Sequence, residues 1–553
     1  MRGQGTRDKG QAFSPSVLFL LPLLLFACAK HPKKANAEKK KDEKTIAQSV
    51  KFGKGDVKVY ETATSKTPSY TVHWKQGGLD ASKTGVDMGD LEGVSGDLLQ
   101  NGKKTSEYTA ERGDANRALK RLNLTKGVTL RSVDGENTLL AASAEYRHDV
   151  GLLRATGGVK ASGPFGTLSG VPELWATPDL HLIGTPLMVA KTLKTPVLVA
   201  LAATAATGAA RFQKADAYTL SGNNGYLVDI RTPGKTLITV PPAKGQTIVI
   251  TLPTRGLVFR FSATVVLEID PKNKNEVRHM TTKGPVNVVK AAPTGKTTLD
   301  GSSATYDAAP GEDSGTLDLQ GPVTIVSAAK DAKGAATTTT SRGDKGRAIL
   351  LNKPKADENA LKRATLDGDV TIESKGAGND GFKGTGERLV YVPNGATADA
   401  DLTGGVVLTR TTKGKDKDGK ATSQTVVSRG QRAHVVIDPK ASGDDNPMKN
   451  ATLDGKVAID VSGSNGQSFK GTGDRIVYTA TGEGGRAVMT GALNFTGDLP
   501  DFLGGSSGTD IATVVIGKEG WETIETSNSE GRPATTTIKQ KPKPATPKKG
   551  GKP

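Results

Sequence analysis

Three groups of residues in this chain are of types that could support chemistry. Residues 504–508 (GGSSG) fit the Gly-x-Ser-x-Gly pattern of a nucleophile elbow, but they lie in a Gly/Ser-rich stretch that we interpret as a turn. The second group is the histidines, of which no two stand at metal-ligand spacing, so we expect all six to be solvated or on strand surfaces: His31, His73, His148, His181, His279 and His434. We therefore predict no catalytic residue, no metal site and no cofactor, and we do not expect an enzyme.

The third group is a single cysteine, Cys28, which ends a segment with the features of a secretory signal. Basic residues near the N-terminus precede an eleven-residue apolar stretch, residues 17–27, which is too short to span a bilayer comfortably. The stretch ends in LFAC, which resembles a bacterial lipobox, where the cysteine receives a lipid. We expect residues 1–28 to be a lipoprotein signal peptide, Cys28 to be the site of lipid attachment, and the protein to be periplasmic and lipid-anchored. An incidental cysteine in an ordinary signal peptide is the alternative.

The formal net charge of +18 is concentrated near the ends of the chain. Residues 1–28, 29–44 and 533–553 together carry 12 of these charges. We predict a charged tether over residues 29–50 and a disordered, basic Pro/Lys tail over residues 521–553. The tether is either a solvated spacer or a contact for anionic lipid headgroups. Basic and aromatic residues are not interleaved, so no nucleic-acid partner is expected.

Two stretches of the chain repeat one pattern at an offset of 87 residues without a gap. Residues 364–391 are ATLDGDVTIESKGAGNDGFKGTGERLVY, and residues 451–478 are ATLDGKVAIDVSGSNGQSFKGTGDRIVY. A more distant copy begins at Ala118, where ALKRLNLTKGVTL is similar to ALKRATLDGDVTI from Ala360. Repetition of this kind is typical of stacked structural units.

Each repeat unit contains three elements in a fixed order, which we call stations. The first is a short strand with apolar residues at alternate positions, the second a strand ending in tyrosine, and the third a glycine followed by another strand. We predict strand, turn, strand, turn, strand, with Gly or Asp-Gly in the turns. The tyrosines of the second station are Tyr146, Tyr306, Tyr391 and Tyr478. Stacking of such half-apolar strands would create a continuous apolar inner face, with room for a groove because aromatic residues are only 4% of the chain.

These patterns divide the rest of the chain into four regions. Residues 51–104 are an N-terminal β segment, and residues 105–180 are the first repeat unit. Residues 181–270 are β-like but lack the tyrosine station, so they are either diverged repeat units or an inserted module. Residues 271–520 hold the further units. Within the third region, the apolar residues 197–207 predict a buried strand or a short core helix.

The first unit, residues 105–180, resembles the OstA-like (Lpt) family of periplasmic bridge proteins of lipopolysaccharide export. The resemblance extends more weakly over residues 275–500. The family pattern has a strand ending in L-x-G-V, a D-G turn, a strand ending in A-x-Y, an L-x-A-x-G-x-V segment and a closing segment. In this chain the matching positions are Leu124, Gly127-Val128, Asp134-Gly135, Ala144-Glu145-Tyr146, Leu153, Ala155, Gly157, Val159 and residues 170–177 (GVPELWAT).

The resemblance implies an all-β fold, an elongated stacked antiparallel β-jellyroll or β-taco built from repeated OstA-like units. It also implies an open hydrophobic groove for acyl chains. The partners it implies are an inner-membrane ABC transporter complex, which supplies energy, and other β-jellyroll bridge proteins joined by edge-strand addition. The length of the chain, its several units and its expected lipid anchor depart from the family.

Two functions follow from these patterns. In the first, the chain transports lipopolysaccharide or a similar amphiphile from the inner to the outer membrane. Each candidate lining residue could instead be dry core. The second function is accordingly that of a non-transporting structural or adhesion β-repeat surface lipoprotein with a packed interior. The candidate lining residues of the groove are Leu124, Val128, Leu130, Leu139, Leu153, Val159, Val370, Ile372, Val406, Val457 and Ile459.

Overall fold

A computed structural model of the chain describes residues 49–540, apart from short gaps, and these residues are almost entirely β. They contain 34 strands, two α-helices and one 3-10 turn. The predicted all-β class, an elongated antiparallel sheet, is confirmed. The gaps that are not described are residues 63, 81–87, 117–118, 203–210, 215–216, 271–275, 293–294, 309–312, 331–335, 353–359, 376–380, 395–396, 416–420, 439–447, 465, 482–483, 499–501, 517–520 and 529–534.

The first ten strands are four short ones followed by six long ones of 10 to 14 residues. From β5 to β10 each strand pairs antiparallel with the next along the chain. The strands are β1 (Ser49–Phe52), β2 (Gly55–Tyr60), β3 (Pro68–Trp74), β4 (Gln76–Asp80), β5 (Met88–Gln100), β6 (Lys103–Asn116), β7 (Arg121–Ser132), β8 (Thr138–Arg147), β9 (Leu152–Gly163) and β10 (Gly166–Ala176).

After β10 the sheet continues as two separate layers of short strands. The C-terminal half of β10 pairs with β11 and its N-terminal half with β12. Layer A continues through β11 (Leu182–Gly184), β14 (Leu227–Asp229), β15 (Thr236–Val240), β18 (Val265–Asp270), β19 (Glu276–Thr282) and β22 (Ser303–Asp307). Layer B continues through β12 (Arg211–Lys214), β13 (Tyr218–Ser221), β16 (Ile248–Leu252), β17 (Leu257–Phe261), β20 (Val286–Ala292) and β21 (Gly295–Gly301).

Residues 181–270 are thus part of the same two layers. They also include helices α1 (Pro186–Leu193) and α2 (Pro196–Ala202) and the 3-10 turn Pro253–Arg255. The helices pack on Trp175, Leu182 and Leu227 in a small apolar cluster separate from the main core, on the outer side of layer A. For residues 197–202 the prediction of a short core helix agrees with α2, although Val197 is exposed.

The layers rejoin at β23, whose N-terminal half pairs with β22 and whose C-terminal half pairs with β21. β23 is the first of ten long strands of 14 to 19 residues, each paired with the next, and two short strands complete the sheet. They are β23 (Ser314–Lys330), β24 (Ala336–Leu351), β25 (Leu361–Lys375), β26 (Gly381–Asn394), β27 (Thr397–Lys415), β28 (Ala421–Ile437), β29 (Met448–Gly463), β30 (Ser468–Thr481), β31 (Gly484–Asp498), β32 (Phe502–Ile516), β33 (Trp521–Ser527) and β34 (Thr535–Gln540).

Each long strand contributes to both layers because the sheet bends near its middle, at a β-bulge in that strand or in a strand paired with it. Between β25 and β26, Asp367 pairs with Arg388 and Val370 pairs with Gly386, so Gly368 and Asp369 together face one residue. This two-against-one arrangement bends a strand and increases its twist. We call the line of bulges the crease. It includes residues 126–127, 157–158, 321–322, 368–369, 404–405, 455–456 and 491–492.

Glycine shapes the crease in two ways. Gly404 and Gly405 have φ of 83° and 58°, in the left-handed region that L side chains adopt at a cost. On the neighbouring strands, glycines lie opposite the crease, where a side chain would not fit. A Cβ atom on Gly386 would lie 2.9 Å from the carbonyl oxygen of Thr403, and one on Gly473 would lie 2.6 Å from Leu493 Cδ2.

The prediction that the Gly and Asp-Gly stations are turns between separate strands holds for Asp134-Gly135, between β7 and β8, and is wrong in the 87-residue repeat. Gly368 and Gly455 lie inside β25 and β29, and residues 504–508, interpreted as a turn, lie inside β32. Asp-Gly favours left-handed backbone, and both a hairpin turn and a bulge use that conformation. One copy of the 28-residue pattern begins in β25 and the other in β29, so one 87-residue period spans four strands.

The predicted boundaries at the two ends of the chain also need correction. Ser49 and Val50, assigned to the tether, belong to β1. Within the stretch predicted to be a disordered tail, β33 and β34 pair with the two halves of β32. An exposed strand edge offers unpaired N–H and C=O groups, which threonine-rich extended segments can satisfy. Cys28, the signal peptide, the rest of the tether and residues 541–553 lie outside the described residues.

We expect Gly405→Ala to lower the free energy of unfolding by about 1 kcal/mol, because an L residue would have to adopt left-handed backbone. A Cβ atom on Gly405 would meet nothing within 4 Å beyond its chain neighbours, so the strain would come from the backbone alone. Gly381→Ala is the control, since its Cβ would meet only the carbonyl oxygen of Ser374 at 3.7 Å. Chemical denaturation followed by circular dichroism measures both. Equal midpoints for the two variants would contradict the role of the crease.

Candidate functional site

The residues predicted to line a groove lie on the inner faces of the two layers. Leu124 and Leu153 are in layer A, and the others are in layer B: Val128, Leu130, Leu139, Val159, Val370, Ile372, Val406, Val457 and Ile459. None is more than 3% exposed. All belong to one hydrophobic cluster that includes residues from Val59 to Val514. Contact of these side chains with a lipid remains a prediction.

Tyrosines of the repeat make contacts between the layers. From layer A, the ring of Tyr146 lies edge-on to Tyr70 at 5.9 Å and that of Tyr306 lies edge-on to Phe259 at 5.1 Å, measured between ring centroids. Tyr478 lies beneath Arg410, whose guanidinium carbon is 5.5 Å from the ring centroid. Tyr70, Phe259 and Arg410 all come from layer B. These large side chains therefore set the distance between the layers.

Burial keeps the phenols of Tyr146 and Tyr391 in their neutral form. Loss of solvation raises the pKa of Tyr146 to about 12 and raises that of Tyr391 as well. Along layer A, the strand neighbours of Tyr391 are Ala364 and Ala400. Small neighbours leave space for the large ring on the same face of the sheet, and Tyr478 is likewise flanked by Ala451 and Ala487.

A cavity of about 30 Å³ lies between the layers beside Tyr478. Apolar side chains form most of its wall, among them Phe382, Leu408, Met448 and Ile459. A space of this size holds about one water molecule. An acyl chain would therefore enter only if the two layers moved apart at this place.

Arg410 is the charged residue in the wall of this cavity, and it is only 5% exposed. Its Nη1 donates a hydrogen bond to Tyr478 Oη. Within the part of the chain that the structure describes, no carboxylate lies within ion-pair distance of its guanidinium. The arrangement places a cation with a neutral partner in a cavity wall that is mostly apolar.

A second buried cation, Lys290, is 1% exposed on the inner face of layer B. Its Nζ donates hydrogen bonds to the carbonyl oxygens of Arg255 and Asn352, the latter at 2.9 Å. Arg255 in turn donates to Tyr306 Oη and to Glu276 Oε2, each at 2.9 Å. Burial away from water lowers the pKa of Lys290 to about 8.

Lys290 and Arg410 occupy equivalent places in layer B. Both follow two inward apolar residues, in the series Val286, Val288, Lys290 and Val406, Leu408, Arg410. The equivalent residue of β25 is Ser374, whose Oγ lies 3.2 Å from Thr339 Oγ1. The interior is thus apolar beside the crease and polar farther along these strands. Apolar alternation alone does not reveal either cation. The signal in the sequence is a basic residue at the next inward position of each strand.

Histidines expected at the surface lie there in most cases. His434, His279 and His181 are partly exposed and face Asp401, Asp307 and Asp134 respectively. The prediction is wrong for His148, which is 9% exposed with its ring centroid 5.8 Å from that of Tyr70. Burial lowers the pKa of His148. His31 is outside the described residues.

No family model and no curated protein matches the chain. Among the described residues, no helix is long and apolar enough to cross a bilayer, and no group of three or more His, Cys, Asp or Glu is placed to hold a metal ion. The OstA-like resemblance depends on the matching residues themselves and stays a prediction.

Replacement of Lys290 by Met should change the pH dependence of stability. The pKa of Lys290 is about 8 in the folded chain and 10.5 in a free side chain, so the unfolded chain binds this proton more strongly. From pH 8 to pH 10, the free energy of unfolding of the unmodified chain should therefore rise by about 2 kcal/mol relative to that of the Lys290→Met variant.

Denaturant titrations at several pH values measure this difference. Lys296→Met is the matched control, because Lys296 is an exposed lysine on the adjacent strand β21. Its stability difference from the unmodified chain should not change over this range of pH. Parallel pH curves for Lys290→Met and the unmodified chain would show that Lys290 is ordinarily solvated.

Proposed function

We propose that the chain is a periplasmic, lipid-anchored protein that carries the acyl chains of lipopolysaccharide, or of a similar amphiphile, between its two layers. In this proposal the cargo moves from the inner to the outer membrane. The observation that supports it is the single apolar interior, which includes residues from Val59 to Val514. A continuous inner face lets an acyl chain pass from strand to strand without crossing a polar barrier beside the crease.

The two ends of the sheet support a role within a larger assembly. Among the described strands, β1 and β2 are the last strands of the layers at one end, and β33 and β34 are the last at the other. Free strand edges accept further strands by main-chain hydrogen bonding. We propose that other β-jellyroll bridge proteins add to these edges, and that an inner-membrane ABC transporter complex supplies the energy.

A second candidate function is that of a non-transporting structural or adhesion lipoprotein. The packing of the interior favours this function: the candidate lining residues are buried, and the cavity beside Tyr478 has a volume of only about 30 Å³. A stack with a packed core would act as a spacer. The two functions differ in whether lipid ever contacts the inner face.

Photocrosslinking in cells tests whether it does. A photoreactive amino acid at Leu130, Ile372 or Ile459 should form lipid adducts, because these side chains point into the interior. Thr129 and Thr371 are the matched controls on the same strands, since they point outward, and they should form few adducts. Adducts at neither set, or equally at both, would exclude a lipid-carrying interior and support the spacer.

The proposed anchor is tested separately. Metabolic labelling with a fatty acid should mark the protein, and Cys28→Ser should abolish the label because the thiol that receives the lipid is removed. Cys28 is the single cysteine of the chain, so no other thiol can substitute. Retention of the label in Cys28→Ser would disprove lipid attachment at this position.

A further inference from the structure

We infer that Arg410 and the cavity beside it form a binding site for the anionic headgroup, a carboxylate or a phosphate, of an acyl-chain amphiphile. This inference depends on the proposed function and assigns a recognition site to it. Neither the apolar periodicity nor the OstA-like resemblance assigns a role to Arg410. The site combines one buried cation, one phenol and a wall of apolar side chains.

The charge of Arg410 is the first reason. A guanidinium carries five N–H donors, and within the described residues the hydrogen bond to Tyr478 Oη accounts for one of them. Burying a cation without a counterion is costly. Arg255, which is also a buried arginine, does have a carboxylate partner: its guanidinium is paired with Glu276 at 2.9 Å. No carboxylate of the described residues pairs with Arg410 in this way, and an anionic ligand would supply the missing negative charge.

The shape of the guanidinium and of the cavity is the second reason. A planar guanidinium binds carboxylate and phosphate oxygens through two parallel hydrogen bonds. Ser428 also lines the cavity and offers a hydroxyl donor. The apolar wall next to these groups includes Met448 and Ile459, where the first methylenes of an acyl chain would pack. The site therefore suits a ligand with a charged end and an apolar end.

The contact between Arg410 and Tyr478 explains how so small a cavity could admit such a ligand. Arg410 belongs to layer B and Tyr478 to layer A, so their hydrogen bond and cation–π contact join the layers. An anion that binds Arg410 competes with the phenol of Tyr478. Once the phenol has left Arg410, the layers can separate there. Lys290 is less suited to this role because its Nζ already donates to two carbonyl oxygens.

Binding of laurate, of 1-dodecanol and of inorganic phosphate to the full chain tests the inference, measured by isothermal titration calorimetry. Laurate and dodecanol share a twelve-carbon chain and differ in charge, and phosphate has the charge without the chain. We expect the unmodified chain to bind laurate at least about tenfold more tightly than dodecanol. Arg410→Met should abolish this difference. Arg429→Met is the control, because Arg429 is an exposed arginine on the neighbouring strand β28.

A second variant keeps the test decisive if Arg410→Met does not fold. Tyr478→Phe removes the hydroxyl that competes for Arg410, so we expect it to bind laurate several-fold more tightly than the unmodified chain. Unchanged or weaker binding of laurate by Tyr478→Phe would overturn the competition between the phenol and the anion. Circular dichroism verifies the fold of each variant.

The other outcomes separate this inference from the proposed function. Equal binding of laurate and dodecanol, unaffected by Arg410→Met, would overturn the headgroup site and leave the carriage of acyl chains intact. Binding of phosphate alone, lost in Arg410→Met, would mean a site for a free anion, and both the headgroup site and the carriage of acyl chains would fail. Absence of binding by all three would also overturn both, with Arg410 reduced to a tie between the layers.

Discussion

The bend at the crease is the constraint on which the rest of the structure depends. Because a long strand such as β25 passes through a bulge at Gly368 and Asp369, one strand supplies both layers, and its inward residues face each other across the interior. Loss of the bulge would leave a sheet with one apolar face toward water. The cost of left-handed backbone at a few glycines is thus coupled to the burial of a whole inner face.

Distance between the layers is set by a few large side chains in an interior of mostly small aliphatic ones. Tyr306 contacts Phe259 across the interior, and Tyr478 contacts Arg410. Both tyrosines also accept a hydrogen bond from a buried guanidinium, Tyr306 from Arg255 and Tyr478 from Arg410, but within the described residues only Arg255 is paired with a carboxylate, that of Glu276. An aromatic pair is a stable apolar contact, whereas a hydrogen bond from a buried cation can be exchanged for a better acceptor. In our proposal an anion takes the place of the missing carboxylate at Arg410, and the layers separate there.

The sequence predicted the class of the fold and the direction of its side chains, but not how the strands are joined. Alternation at Val370 and Ile372 predicted an inward face, and both residues are buried there. The glycine at 368 was assigned to a turn because a turn and a bulge need the same backbone angle. A turn reverses the chain so that it pairs with itself, whereas a bulge lets the strand continue. Which of the two forms depends on pairing partners distant in sequence.

By itself, the sequence determined the period of the repeat, the inward positions and the places of left-handed backbone, since these follow from local spacing and residue type. Only the tertiary structure decided that the tyrosine stations meet the opposite layer, that the threonine-rich segments after residue 520 complete the sheet, and that Lys290 and Arg410 are buried cations. The physical reason is that burial and pairing depend on contacts across the fold. A basic residue at an inward position has the same local pattern whether it meets a carboxylate, a phenol or water.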